Sequence, residues 1–270
     1  MRAACIPYMM KFIKTMVCGA VLAAVLMSAS SANAITFTGS DSYGRAASAT
    51  FSLRSDGLHI LLANTATYDA MVPTDMLTAL FFNVPTGVAL TPAHAYVGAN
   101  STVIDTVTGN ANYHPAGYNI GGEWAYAANL GQLGGLEGTS STGLGLFGSG
   151  NFGGGNLQGP TSGAVDGVQY GITTAGDNVS TGNGGITSAN SSQFIRYQVE
   201  LILTSVPTTF DLSGISDVRF QYGTDLTEPY FVGASYTPSP PPRVPDGGST
   251  FMLLSSALAG VGALRRKIKS

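Results

Sequence analysis

Cysteine is nearly missing: Cys5 and Cys18 are the two in 270 residues, and both precede residue 35. Whatever follows them has no disulfide, no thiolate metal site and no cysteine nucleophile. Lysine is missing from residues 35–242, where Arg45, Arg54, Arg196 and Arg219 face fourteen Asp and Glu, a balance of −10 against −3 for the whole chain. Such a surface repels phosphate backbones, so nucleic acid is excluded as a partner, and like charge keeps a soluble body apart from its neighbours. Capped helical periodicity is lacking over the same stretch, which leaves strands. Histidine occurs three times, and neither a G-x-S-x-G turn, a phosphate-binding G-x-x-x-x-G-K-[ST] nor a zinc-spaced cluster is found. No catalytic residue, cofactor or metal is expected, and the chain is read as a non-enzyme.

The two ends carry what the middle lacks. Lys11 and Lys14 precede an apolar stretch at 16–27 and then SASSANA, in which Ala32-Asn33-Ala34 is a small-x-small cleavage site. Residues 1–34 thus read as a secretory signal, handled by the Sec translocon and signal peptidase, with Ile35 as the first mature residue. Met9 and Met10 are alternative starts. An uncleaved helix fits less well because the apolar core is short, and lipid attachment at Cys18 fits poorly after Thr15, Met16 and Val17.

At the far end, residues 251–264 are apolar or small on every side, including Phe251, Leu253, Leu254, Leu258, Val261 and Leu264. As a helix they reach about 21 Å against about 30 Å of hydrocarbon, a marginal span. Arg265, Arg266, Lys267 and Lys269 follow at once, and such a cluster stays on the cytoplasmic side. The expected result is a transient inner-membrane anchor with the body outside. Four prolines in 237–243 make an extended spacer between body and tail.

Between the ends, strand signals dominate. Residues 47–53 place Ala47, Ala49, Phe51 and Leu53 on one side, Arg54-Ser55-Asp56-Gly57 turns, and 58–64 returns as a hairpin. Further strands are expected at 76–84, 88–97, 101–107, 123–130, 167–173, 193–206 and 217–224. Nineteen of the fifty-five residues in 131–185 are glycine, which turns freely and buries little. The expected fold is all-β: a β-sandwich-like domain over 35–236 with a long Gly-rich loop insertion at 131–185, and a C-terminal hydrophobic helix. A split into two domains at the Gly-rich tract is the alternative.

Val244-Pro245-Asp246-Gly247-Gly248-Ser249-Thr250, the apolar run and the basic end together resemble the PEP-CTERM class of sorting signal, in its VPDSG variant with Gly247 in the serine position. In the body, VPTDMLTALFF, GGEWAY, GLGLFG, NLQGP, GVQYGITTAGDN and TGNGGI resemble the markers of a family of exosortase-dependent surface proteins. The resemblance implies a Gram-negative host and an exosortase that cuts near 246–249. The body would then stand at the cell surface or be released, with no established enzymatic activity. A sortase signal would need Leu-Pro-x-Thr-Gly, and a GPI signal lacks a terminal basic cluster. A single-pass anchor that is never cut stays open.

Candidate side chains in the body are few. Trp124 and Tyr126 alternate on one strand face, with Tyr113 and Tyr118 upstream, an arrangement able to stack on a sugar of an exopolysaccharide or biofilm matrix. The competing reading makes Trp124 the largest hydrophobe of the core. Asp105 and His114 could form a triad only with an unmarked serine; His59 and His94 are expected to be satisfied locally. Asp177 and Asn178 offer oxygen without the regular spacing of a calcium loop. N-x-S/T triplets at Asn100, Asn178 and Asn190 carry little weight in a bacterial chain.

Overall fold

The computed structural model describes residues 34–147, 156–159, 165, 167–188 and 193–236. Among these, no helix exceeds a three-residue 3-10 turn, and strands form two sheets. The first sheet contains β1 (Ala34–Ser40), β2 (Ala46–Arg54), β3 (Gly57–Asn64), β5 (Thr91–Val97), β12 (Gln198–Thr204) and β15 (Ala234–Tyr236), in the order β15-β1-β2-β3-β12-β5. The second contains β4 (Leu77–Asn83), β6 (Thr102–Asp105), β7 (Asn110–His114), β8 (Ala125–Leu130), β9 (Leu136–Ser140), β10 (Ile172–Thr173), β11 (Gln193–Arg196), β13 (Ser216–Tyr222) and β14 (Tyr230–Val232). Its path is β14-β13-β4-β10-β11-β6-β7, and β9 lies between β4 and β8.

Period-two patterning puts the expected residues inside. Ala47, Ala49 and Phe51 of β2, Leu58, Ile60 and Leu62 of β3, and Val199, Leu201 and Leu203 of β12 are buried in one core. The second sheet adds Leu80 and Phe82 of β4 and Val218 and Phe220 of β13 to the same core. Phe51 meets Phe82 across the sheets, rings edge to face at 5.2 Å. The β2–β3 turn is at Ser55 and Asp56, with Arg54 opposite Gly57. Gly57 has φ +149, and a Cβ there would lie 2.4 Å from the Leu203 carbonyl oxygen, so only glycine fits.

β4 is buried on both faces. Its outward Ala79 and Phe81 lie under Leu144, Leu146, Phe147 and Val165, which belong to the Gly-rich tract. That tract is therefore more than loops in its described parts: it supplies β9, β10 and an apolar cover. Glycine permits this approach, since a Cβ at Gly138 of β9 would stand 2.7 Å from Phe81 and 2.8 Å from Leu130. The expected strand 193–206 is in fact two. Tyr197, at φ 86, turns the chain out of the second sheet, where β11 pairs with β6, and into the first, where β12 pairs with β3. The C-terminal hydrophobic helix expected at 251–264 lies outside the described residues.

Every neighbouring pair in the first sheet is antiparallel. One end of that sheet therefore holds Ala34, the Ser55–Asp56 turn, Thr91, Thr204 and Tyr236; the other holds Ser40, Asn64, Val97 and Gln198. β14 and β15 are one extended stretch that leaves the second sheet's edge and joins the first at Gly233, whose N–H donates to the Val218 carbonyl.

Candidate functional site

The first functional element is the pairing of the body's two ends. β1 lies between β2 and β15, with Thr36 opposite Thr50 on one side and opposite Tyr236 on the other. The alternation ITFTGS buries Phe37 and turns Thr36 and Thr38 outward, where the Thr36 and Thr50 hydroxyls share a hydrogen bond of 2.9 Å. Ala34 and Ile35, on either side of the expected signal cut, are the first two residues of β1. Ala32, the motif residues 244–250, the apolar run 251–264 and the basic residues 265–269 lie outside the described residues. Tyr236, the last described residue, lies at the same end of the sheet as Ala34, the first. A cleft of about 320 Å³ between the loops carrying Pro85 and Phe210 opens at this end too.

The aromatic candidates follow the core reading of Trp124 and leave the sugar-stacking one to other rings. Trp124 is fully buried and Tyr126 is 3 % exposed, both in the shared core. As folded they offer no face to a sugar. The Tyr126 hydroxyl donates to a Glu137 carboxylate oxygen. Burial raises the pKa of both, and the Tyr126 bond only partly offsets this for Glu137. The exposed rings are upstream. On edge strand β7, Tyr113 is 43 % exposed and meets His114 at 4.3 Å, while His114 stacks on Tyr118 at 3.6 Å with planes 3° apart. Desolvation holds the His114 ring below its ordinary pKa, which keeps it neutral at pH 7. Buried Tyr170, at φ 55, is within electrostatic reach of Glu123, Tyr113, Tyr118 and Asp105, and burial raises its phenol. The Tyr118 carbonyl accepts from Val97 N–H, which places this cluster at the end of the first sheet opposite Ala34 and Tyr236.

The remaining candidates are tied into structure. His59 is buried with Nε2 2.8 Å from Asp56 and Nδ1 2.9 Å from Glu200, and Arg54 reaches the same Glu200 oxygen at 2.8 Å. His94 Nδ1 contacts the Gln158 carbonyl at 3.2 Å. Asp105 accepts from the N–H groups of Val107 and Thr108 and from Gln193, closing the β6–β7 turn instead of orienting His114. Asp177 accepts from Ala70 N–H, and beside it Asp69 accepts from Asn178 N–H and the Thr181 hydroxyl. Burial, with Asp69 adjacent, raises Asp177 to about 6. Desolvation pushes Asp69 the same way, but its hydrogen bonds prevail and lower it. No group of three or more His, Cys, Asp or Glu among the described residues is placed to hold a metal ion.

No described helix is long and apolar enough to cross a membrane. Residues 243–268 match the VPDSG-CTERM motif, a C-terminal sorting signal of the exosortase-dependent type. No curated protein and no solved structure matches the chain. The motif begins seven residues after Tyr236, where the last described strand ends. It implies an exported substrate with an exosortase as its processing partner and the cell surface as its destination.

Proposed function

We propose that this is an exported, non-catalytic protein whose β-sandwich-like body is displayed at the cell surface or released into the extracellular matrix. Residues 1–34 start translocation and are cut off after Ala34. Residues 251–264 rest briefly in the inner membrane with Arg265, Arg266, Lys267 and Lys269 on the cytoplasmic side. Pro245 holds the motif extended above the lipid, and exosortase cuts near 246–249. The observation that carries this reading is the sorting-signal match directly behind the strand that completes the body. Replacing the four basic residues by glutamate tests it: the chain should lose surface delivery and keep its tail, whereas unchanged delivery and trimming would contradict it.

A second reading, a glycan-binding module, is favoured by the Tyr113–His114–Tyr118 cluster. Its rings are partly exposed, exposed Asn110 and Asn112 supply amides, and the cluster lies away from the end where the tail departs. The net charge of residues 35–242 favours neutral sugars over anionic ones. Mature protein on a polysaccharide array should be retained by a neutral glycan and released by Tyr113→Ala. No retention at high protein concentration would remove this reading.

A further inference from the structure

Ala34 is both the last residue before the expected signal cut and the first residue of β1. Proteases commonly take their substrates extended and hydrogen-bond the backbone as an added strand. In the folded body that backbone is engaged. Ala34 and Ile35 stand opposite Ser52 and the fully buried Phe51, and Thr36, Phe37 and Thr38 are flanked on the other side by β15. Ile35 also packs against the core. Once β1 is seated, the Ala34–Ile35 bond belongs to the sheet and is withheld from a protease cleft.

β15 depends on β1 in turn, for β1 is its one strand partner among the described residues. With β1 unseated, the last strand has nothing to pair with, and the point from which the sorting motif departs moves back towards β14. We infer that the body's first and last strands impose an order on processing: the signal peptide is removed, then β1 seats, then β15 seats on it and fixes the departure point of the tail at Tyr236. This rests on residues 1–34 being a removable signal, as read above.

The absence of cysteine from the mature body makes the order measurable. In the full chain, with Cys5→Ser and Cys18→Ser, Thr38→Cys and Ala234→Cys replace two exposed Cα partners of β1 and β15, within reach of a disulfide. A control chain carries Ser48→Cys with Ala63→Cys, partners in β2 and β3 that do not involve β1. Pulse-labelled exporting cells are analysed on non-reducing gels. The T38C/A234C bridge should form in chains that have lost residues 1–34, and signal-bearing chains that already carry it should stay untrimmed through the chase, while signal-bearing chains with the control bridge go on to be trimmed. Adding Ala32→Arg, which spoils the small-x-small site without touching the body, should leave both bridges free to form in the uncut chain. Signal-bearing chains that carry the first bridge and are still trimmed to Ile35 would overturn the order. Trimmed chains that form the control bridge but never the first would overturn the pairing of the ends. If no chain begins at Ile35, the signal reading itself fails, and the order with it.

Discussion

The two sheets are built on different terms. In the first, registers run unbroken for seven pairs between β1 and β2, eight between β2 and β3 and six between β3 and β12, and shift once, between β12 and β5. In the second, β10 contributes two residues, and the registers of β13–β4, β6–β7 and β8–β9 all shift. The more regular sheet holds the first and last described strands and turns one face to the shared core. The irregular sheet is covered on both faces at β4, is exposed at its edges β7 and β14, and carries buried Glu137 and Asp105 and the stacked rings. Longer ladders and the shared core serve the first; the second adds the Gly-rich cover to its shorter ladders. Pairing of the body's first and last strands thus falls to the more regular half, and the Tyr113–His114–Tyr118 rings to the other.

Core truncations should separate the two halves most widely. Phe51→Ala, at the centre of the shared core, should cost about 3–5 kcal/mol and lower protection throughout the body. Leu146→Ala, fully buried in the outer cover, should cost about 2–5 kcal/mol yet loosen mainly 141–147 and β9. Hydrogen exchange after each change checks this, and identical global patterns would erase the distinction. Next in size, Tyr126→Phe removes the donor to buried Glu137 and should cost about 1–3 kcal/mol. Glu137 has a raised folded pKa, so its contribution is present in acid and lost as pH rises. Because the lost bond favours the carboxylate, denaturation of this variant should show a larger deficit where Glu137 is ionised than in acid.

A smaller, local effect is expected where Asp177 ties the 174–181 loop to Ala70. Its pKa is raised from 3.8 to about 6, so the protonated form is favoured on folding. The stability it adds is complete below its unfolded value and lost as pH climbs through about 6. Exchange of the Ala70 amide, corrected for its intrinsic rate, should speed up across that window, and Asp177→Asn should flatten the dependence. Least of all, Thr36→Val removes one half-buried hydroxyl bond in the regular sheet and should cost under about 1 kcal/mol, seen as a small shift in denaturation midpoint.

Much of this was legible in the chain because burial leaves a period. Alternation at 47–53 gave the inner face of β2, and the apolar residues of 76–84 marked β4 as a strand without telling that both of its faces are covered. The sorting signal was legible because residues 244–250, the apolar run and the basic end resemble that class in order, while membrane geometry alone gave only a marginal anchor. Other features left weaker traces. Nothing at Tyr197 announces a change of sheet, since neither glycine nor proline marks it. β1 and β15 are short, and their pairing spans almost the whole body, so no local pattern reports it. Trp124 and Tyr126 do share a face, as alternation says, but alternation cannot tell which face is dry. Tyr113 and Tyr118 were visible as neighbours; their joining through His114 required the β6–β7 hairpin.

The central claim is that one exported body loses both of its membrane-seeking ends. Mass spectrometry of the intact protein from the cell surface, in hosts with and without exosortase, tests it most directly. The account predicts a chain beginning at Ile35 and ending within 246–249 when exosortase is present, and one that begins at Ile35 but retains 251–269 when it is absent. Surface protein that carries Arg265 and Arg266 in a host with active exosortase would contradict it.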